Sequence, residues 1–320
     1  MKNILFDKNV APVAWSAQRV GTLNSCPKKY RYRYLMKGGW HPDATEELKR
    51  IYRLGLLQNE SSYAGILMHK HIRRMIAGEM NGFHRRLAES VETACREFAL
   101  AVELGALQPL DGLRKGRVKF LSQEQGKSIS PADVTKWQLQ IRQCLETWDK
   151  MEEVKELIDD ASSIIPHLLD PPAPILTECL GVPIYLKTDA VLSSGDHWIV
   201  YDWKTGRPNE SDGKQAGIYE AFIRAEFELT HDITVVVRYV YLTEGIVKSF
   251  SFTAEEREEL LWQIAEEHTD LLITDADHSE RRFPARANGL CQYCPYQFNC
   301  PEGKKRVSAQ APAKVAGGLI

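Results

Sequence analysis

The chain has 320 residues, 43% of them hydrophobic and 26% charged, with a net charge of −2. This is the composition of an ordinary folded, water-borne protein, with room for one large domain or about two average ones. No apolar run approaches the ~20 residues that cross a bilayer, and the N-terminal MKNILFDKNVAPVAW lacks a signal-peptide layout, so membrane and secreted classes are set aside and a cytoplasmic location is expected. In that compartment seven cysteines point to metal binding or redox chemistry rather than disulfides. Near-neutral charge does not advertise a nucleic-acid binder. Basic residues nevertheless clump at Lys28–Arg33, Arg114–Lys119 and Arg281–Arg282, as solvated faces or as local grooves for phosphate.

Residues 1–14 read as irregular. A short helix is expected from Trp15, with Ser16 a candidate N-cap, and the phrase Ser25-Cys26-Pro27-Lys28-Lys29-Tyr30 continues as helix to Leu35. Tyr30 and Tyr34 recur at i, i+4, as do Lys29 and Arg33. Such interleaving suits single-stranded nucleic acid, although core packing is the commoner use of the tyrosines. Glu46–Leu57 and Tyr63–Ile76 predict helices; His69 and His71 lie two apart, so at most one of them points at a given site. Leu87–Leu107, Pro131–Met151 and Glu152–Leu169, with a break near Pro166, predict a long helical stretch. Cys95 and Cys144 fall inside it as packed residues, and Pro171-Pro172-Ala173-Pro174 ends it.

Strands follow. Ser194-Gly195-Asp196 separates two apolar, β-branched runs, which reads as a hairpin. A two-residue Gly195-Asp196 turn sets Ser194 opposite His197 and, counting back, Asp189 opposite Asp202. Lys204 then alternates onto the same face. Two acids and a lysine together make either an exposed cross-strand ion pair or a cation site. Val200, Tyr201 and Trp203 favour the second, because acids on a buried strand need partners or metals. After a turn at Thr205–Asn209, Ser211 or Asp212 caps a helix to Glu228 that carries Gln215 and Tyr219 on one face. Thr234–Leu242 and Ile246–Phe252 are further strands, and the capping box Thr253-x-x-Glu256 opens a helix to Ile273. The order predicts an α/β fold, a mixed central sheet flanked by helices. The segments are N-terminal helices (1–84), a helical insertion (85–172), the core sheet with its helices (173–284), a cysteine loop (285–303) and a disordered tail (304–320).

Cys291, Cys294 and Cys300 place three thiols within one short loop. A four-coordinate site then lacks one ligand. Cys26, also followed by proline, is the best candidate, and Cys179 the second. Zinc and an iron–sulfur cluster both accept four thiolates.

Six pieces come in a fixed order: Cys26-Pro27-Lys28-Lys29-Tyr30, Gly65-x3-His69, Asp189, Asp202-Trp203-Lys204, Gln215-x3-Tyr219, and the three closing cysteines. This succession resembles the RecB-like branch of the PD-(D/E)xK nuclease superfamily, and within it the iron–sulfur nucleases such as AddB-type helicase–nuclease subunits and CRISPR adaptation nucleases. It spans residues 26–300 and leaves the 85–170 helices unmatched. No proline precedes Asp189, and Lys187 stands where the family often has a glycine. The resemblance implies a restriction-endonuclease-like core with a four-cysteine metal cluster tying the termini together. His69, Asp189, Asp202 and the Trp203 carbonyl would bind Mg²⁺ or Mn²⁺. Asp189, Asp202 and Lys204 would be catalytic, Gln215 and Tyr219 would position substrate or Lys204, and Glu178 is a candidate holder of a metal water. Cys26, Cys291, Cys294 and Cys300 would bind a 4Fe–4S cluster, with zinc the second choice.

The implied activity is metal-dependent exonucleolytic hydrolysis of DNA, single-stranded by preference, leaving a 5′-phosphate. No phosphate-binding Gly-rich loop with Lys-Ser/Thr is present, so a helicase, recombination or CRISPR partner would be a separate chain. The alternatives are a catalytically inactive DNA-binding or complex-assembly module of the same fold, and a structural zinc protein.

Overall fold

A computed structural model describes residues 13–310 except 85, 180, 211 and 278. Within them the chain divides into two units. The first takes in the residues up to Ala17, Glu60–Val102 and Ile129–Ala276; the second takes in Gln18–Asn59, Glu103–Ser128 and the residues from Asp277 on. The helical stretch expected as one insertion at 85–172 is therefore shared between the units. Cys26 and His69, expected in one N-terminal segment, fall in different ones.

Trp15 does not begin a helix. Its backbone pairs with an adjoining strand, donating to the Pro183 carbonyl (2.7 Å) and accepting from the Tyr185 N–H (2.8 Å). Helix α1 (Ala17–Ser25) stops at Cys26, whose extended backbone (φ −161°, ψ 103°) follows from the Pro27 that opens α2 (Pro27–Tyr30). A π-helical turn at Arg31–Leu35 follows, so the single helix expected up to Leu35 is interrupted twice. α3 (Glu46–Gly55) is capped by Thr45, whose hydroxyl accepts from the Leu48 N–H. α4 (Glu60–Met80), α5 (Leu87–Leu107) and the short α6 (Leu121–Glu124) precede α7 (Pro131–Lys150). Ser130 and Asp133 cap α7 reciprocally, each side chain accepting from the other's N–H at 3.1 Å. α8 (Glu152–Asp159) ends earlier than expected, and only 3-10 turns continue toward Leu169.

β1 (Ile175–Cys179) and β2 (Val182–Leu186) form a small antiparallel pair. β3 (Ala190–Ser194), β4 (His197–Lys204), β5 (Thr234–Tyr241) and β6 (Ile246–Phe250) form a mixed four-stranded sheet in that spatial order. The outer pairs are antiparallel. The central β4–β5 pair is parallel, and α9 (Asp212–Glu226) makes its crossover. Ser194 faces His197, with Gly195 at φ 58° in the turn, a value that favours glycine. The Thr253–Glu256 capping box forms and opens α10 (Ala254–Ala276). α11 (Pro301–Gln310) occupies the start of the segment expected as a disordered tail; residues 311–320 lie outside the described residues, as does the candidate cap Ser211. No helix among the described residues is long and apolar enough to cross a membrane.

Alternation along β4 divides its labour. Tyr201 and Trp203 face α7 and α8: the Trp203 ring meets Trp148 of α7 edge-on at 6.1 Å, and the Tyr201 hydroxyl donates to the Glu153 carbonyl of α8. Each large apolar side chain buried in this way contributes about 1.5–3 kcal/mol. Val200, Asp202 and Lys204 take the opposite face, toward α9. In the second unit Tyr32, Ile51, Leu54, Leu57, Leu113, Leu121 and Tyr296 make a separate core.

Candidate active site and cysteine cavity

Asp189 immediately precedes β3, and the register that pairs Ala190 with Tyr201 brings it beside Asp202. Asp189 Oδ2 accepts from the Trp203 N–H at 2.8 Å, which fixes the carboxylate to the neighbouring strand. Its Oδ1 lies 2.9 Å from His69 Nδ1 on α4. Lys204 Nζ donates to Asp202 Oδ2 (3.0 Å) and to Gln215 Oε1 (3.1 Å). Gln215 Nε2 donates to the Tyr219 hydroxyl (2.8 Å), which lies within reach of Asp202 Oδ2 (3.1 Å) and the Lys187 carbonyl (2.8 Å). One phenolic proton thus serves two acceptors. His69, Asp189, Asp202, Trp203, Lys204, Gln215 and Tyr219 line one open pocket of about 600 Å³ beside the carboxyl end of β4. His71 turns away from it and is buried near Glu97.

Two residues of this pocket were not legible in the sequence as a pair. Asp170, at φ 37°, donates its N–H to the Asp189 carbonyl (3.0 Å), and its carboxylate forms an ion pair with Lys187. Lys187 lines the pocket, and its ammonium is held by Asp170. Glu178 does not reach the pocket. On β1, Thr177 and Cys179 take the buried face, which leaves Glu178 exposed.

Burial pushes the Asp202 carboxyl up to about 6, with Asp189 adding to the rise and Lys204 opposing it. Burial would lower the His69 imidazole, but the adjacent Asp189 carboxylate overrides it and raises the group to about 9. A buried acid pushed toward its neutral form is short of positive charge. Oxygen donors with one imidazole are a set that Mg²⁺ or Mn²⁺ accepts, so the residues fit a divalent ion. Among the described residues no three His, Cys, Asp or Glu side chains stand ready around a single ion; His69 and Asp189 are hydrogen-bonded to each other instead.

In the second unit, Cys26, Cys291, Cys294 and Cys300 line one cavity. The Asn288 N–H points at Cys291 Sγ and the Gly303 N–H at Cys300 Sγ, both at 3.4 Å. Burial, with the Cys26 and Cys291 sulfurs nearby, pushes the Cys294 thiol up to about 11. Backbone N–H groups aimed at two of the sulfurs are of the kind that accompany thiolate ligands, but among the described residues the four thiols do not stand together as a ready metal-binding group. Cys179, the second candidate ligand, is buried on β1 of the first unit. Within the aromatic–basic pattern of residues 29–34, Tyr30 is a packing residue, while Arg33 is exposed. Tyr30 is fully buried against Phe283, and the Arg19 guanidinium lies 5.6 Å from the Tyr30 ring and 5.1 Å from that of Tyr34.

The sheet, its crossover helix and the acid–acid–lysine pocket agree with a comparison of the whole sequence with known families: the model of the PD-(D/E)XK nuclease superfamily matches residues 14–301. The chain belongs to the PD-(D/E)XK nuclease superfamily, whose members usually work with Mg²⁺ or Mn²⁺. A comparison with curated proteins gives no match.

Proposed function

We propose that the chain is a metal-dependent DNA exonuclease of the RecB-like branch, acting on single strands in the cytoplasm beside a separate helicase, recombination or CRISPR partner. The observation that carries the catalytic part is the convergence of His69, Asp189, Asp202 and Lys204 on one open pocket. A bound Mg²⁺ or Mn²⁺ supplies a Lewis acid for the scissile phosphate and a source of hydroxide at neutral pH. His69, the two carboxylates and the Trp203 carbonyl would hold it. The Lys204 ammonium stands where it can stabilise charge that develops on the phosphate. Gln215 and Tyr219 orient that ammonium and Asp202 through their hydrogen bonds.

The order of motifs supports the finer assignments: the RecB-like branch, the preference for single strands, and a 4Fe–4S cluster on Cys26, Cys291, Cys294 and Cys300, with zinc as the competing occupant. Incubation with end-labelled single- and double-stranded DNA, with and without Mg²⁺ or Mn²⁺, tests the activity. Metal-dependent release of terminal nucleotides is expected. Salt-sensitive DNA binding without cleavage under any metal would favour a non-enzymatic module instead.

A further inference from the structure

Lys204 has a third neighbour that none of the motifs includes. In the parallel register of β4 and β5, Asp202 pairs with Tyr239, and Lys204 Nζ lies 4.4 Å from the centroid of the Tyr239 ring. The ring is fully buried and held edge-on by Phe250 at 5.3 Å and by Tyr241 at 6.4 Å. Its hydroxyl has no hydrogen-bond partner among the described residues. A buried hydroxyl with no partner is a cost, so the useful part of this side chain is its face. A π-face attracts an ammonium, and does so more strongly when water is excluded.

We infer that Tyr239 is a positioning residue for the nuclease reaction: its ring, together with the Asp202 carboxylate and the Gln215 carbonyl, contacts the Lys204 ammonium and holds it at the pocket. The inference rests on the proposed nuclease reading for its kinetic consequence, but not for the contact itself.

Two variants separate ring from hydroxyl. Tyr239→Phe keeps the face and removes the unpartnered group; kcat within about 2-fold of the parent is expected. Tyr239→Leu keeps apolar bulk and removes the face; kcat lower by about 2- to 30-fold at unchanged KM is expected, the span that a cation–π contact covers. In the metal-free protein, NMR of Lys204 should show its Cε protons moved upfield by the ring in the parent and in Tyr239→Phe, and returned to ordinary values in Tyr239→Leu. Equal kcat and equal Lys204 shifts in all three proteins would overturn the inference, as would a loss in Tyr239→Phe as large as in Tyr239→Leu. If Tyr239→Leu does not fold, a ring-fluorinated phenylalanine in place of Tyr239, nearly the same shape with a weakened quadrupole, takes over. It should lower kcat relative to Tyr239→Phe, and equal rates would refute the inference. If the parent cleaves no DNA, the nuclease reading fails, and the Lys204 shifts still decide this one.

Discussion

Asp202 is where the hydrogen bonds of the pocket meet, receiving Lys204 and Tyr219 while standing beside Asp189. Asp202→Asn and Lys204→Ala are expected to lower kcat by about 100-fold or more, the scale of removing one preorganised charged or hydrogen-bonding group from a transition state, with little change in melting temperature. Tyr219→Phe removes the hydroxyl shared by Gln215, Asp202 and the Lys187 carbonyl; denaturant unfolding should show a loss of about 1 kcal/mol. Mg²⁺ should raise the parent's stability by about 2.7 kcal/mol at a hundredfold excess over Kd, and much less in Asp189→Asn, a readout that needs no substrate. At this scale the sequence was legible where a short turn sets the register. The Gly195-Asp196 turn fixes the pairing of Asp189 with Asp202, and alternation then carries Lys204 to the same face. Asp170 and Tyr239 were not legible. Asp170 reaches the pocket from a bend that follows the 3-10 turn at Pro166–Leu168, and the β4–β5 register that presents Tyr239 depends on the length and docking of α9, which no local signal encodes.

Among the elements, those with chemical punctuation were the ones that could be read. Ser130-Pro131 opens α7, and the Thr253–Glu256 box opens α10, at the expected places. A pairing between distant segments was not readable: the Trp15 segment joins β2. Gly39 carries a packing constraint of the same hidden kind. A Cβ there would stand 2.0 Å from the Leu48 carbonyl oxygen, a backbone atom of α3 that cannot swing aside. Gly39→Ala should therefore destabilise the second unit by about 1–3 kcal/mol, seen as a lowered unfolding midpoint.

For the whole chain, each of the two units is built from three discontinuous stretches, an arrangement that segments taken in chain order do not express. Cys26 and the Cys291–Cys300 loop meet in one cavity of that unit although most of the sequence lies between them. A centre bound there would close a long loop, so Cys294→Ser is expected to lose bound iron, absorbance near ~400 nm and thermal stability together. Zinc without iron in the parent would remove the cluster from the proposal and leave the pocket untouched. The central claim is that one pocket gathers His69, Asp189, Asp202 and Lys204 around a divalent ion to cut DNA, and the most direct measurement compares the full chain with Asp202→Asn on end-labelled single-stranded DNA in Mg²⁺ or Mn²⁺. Rapid, chelator-sensitive cleavage by the parent and near-complete loss in the variant are predicted; equal cleavage by the two proteins would contradict the account.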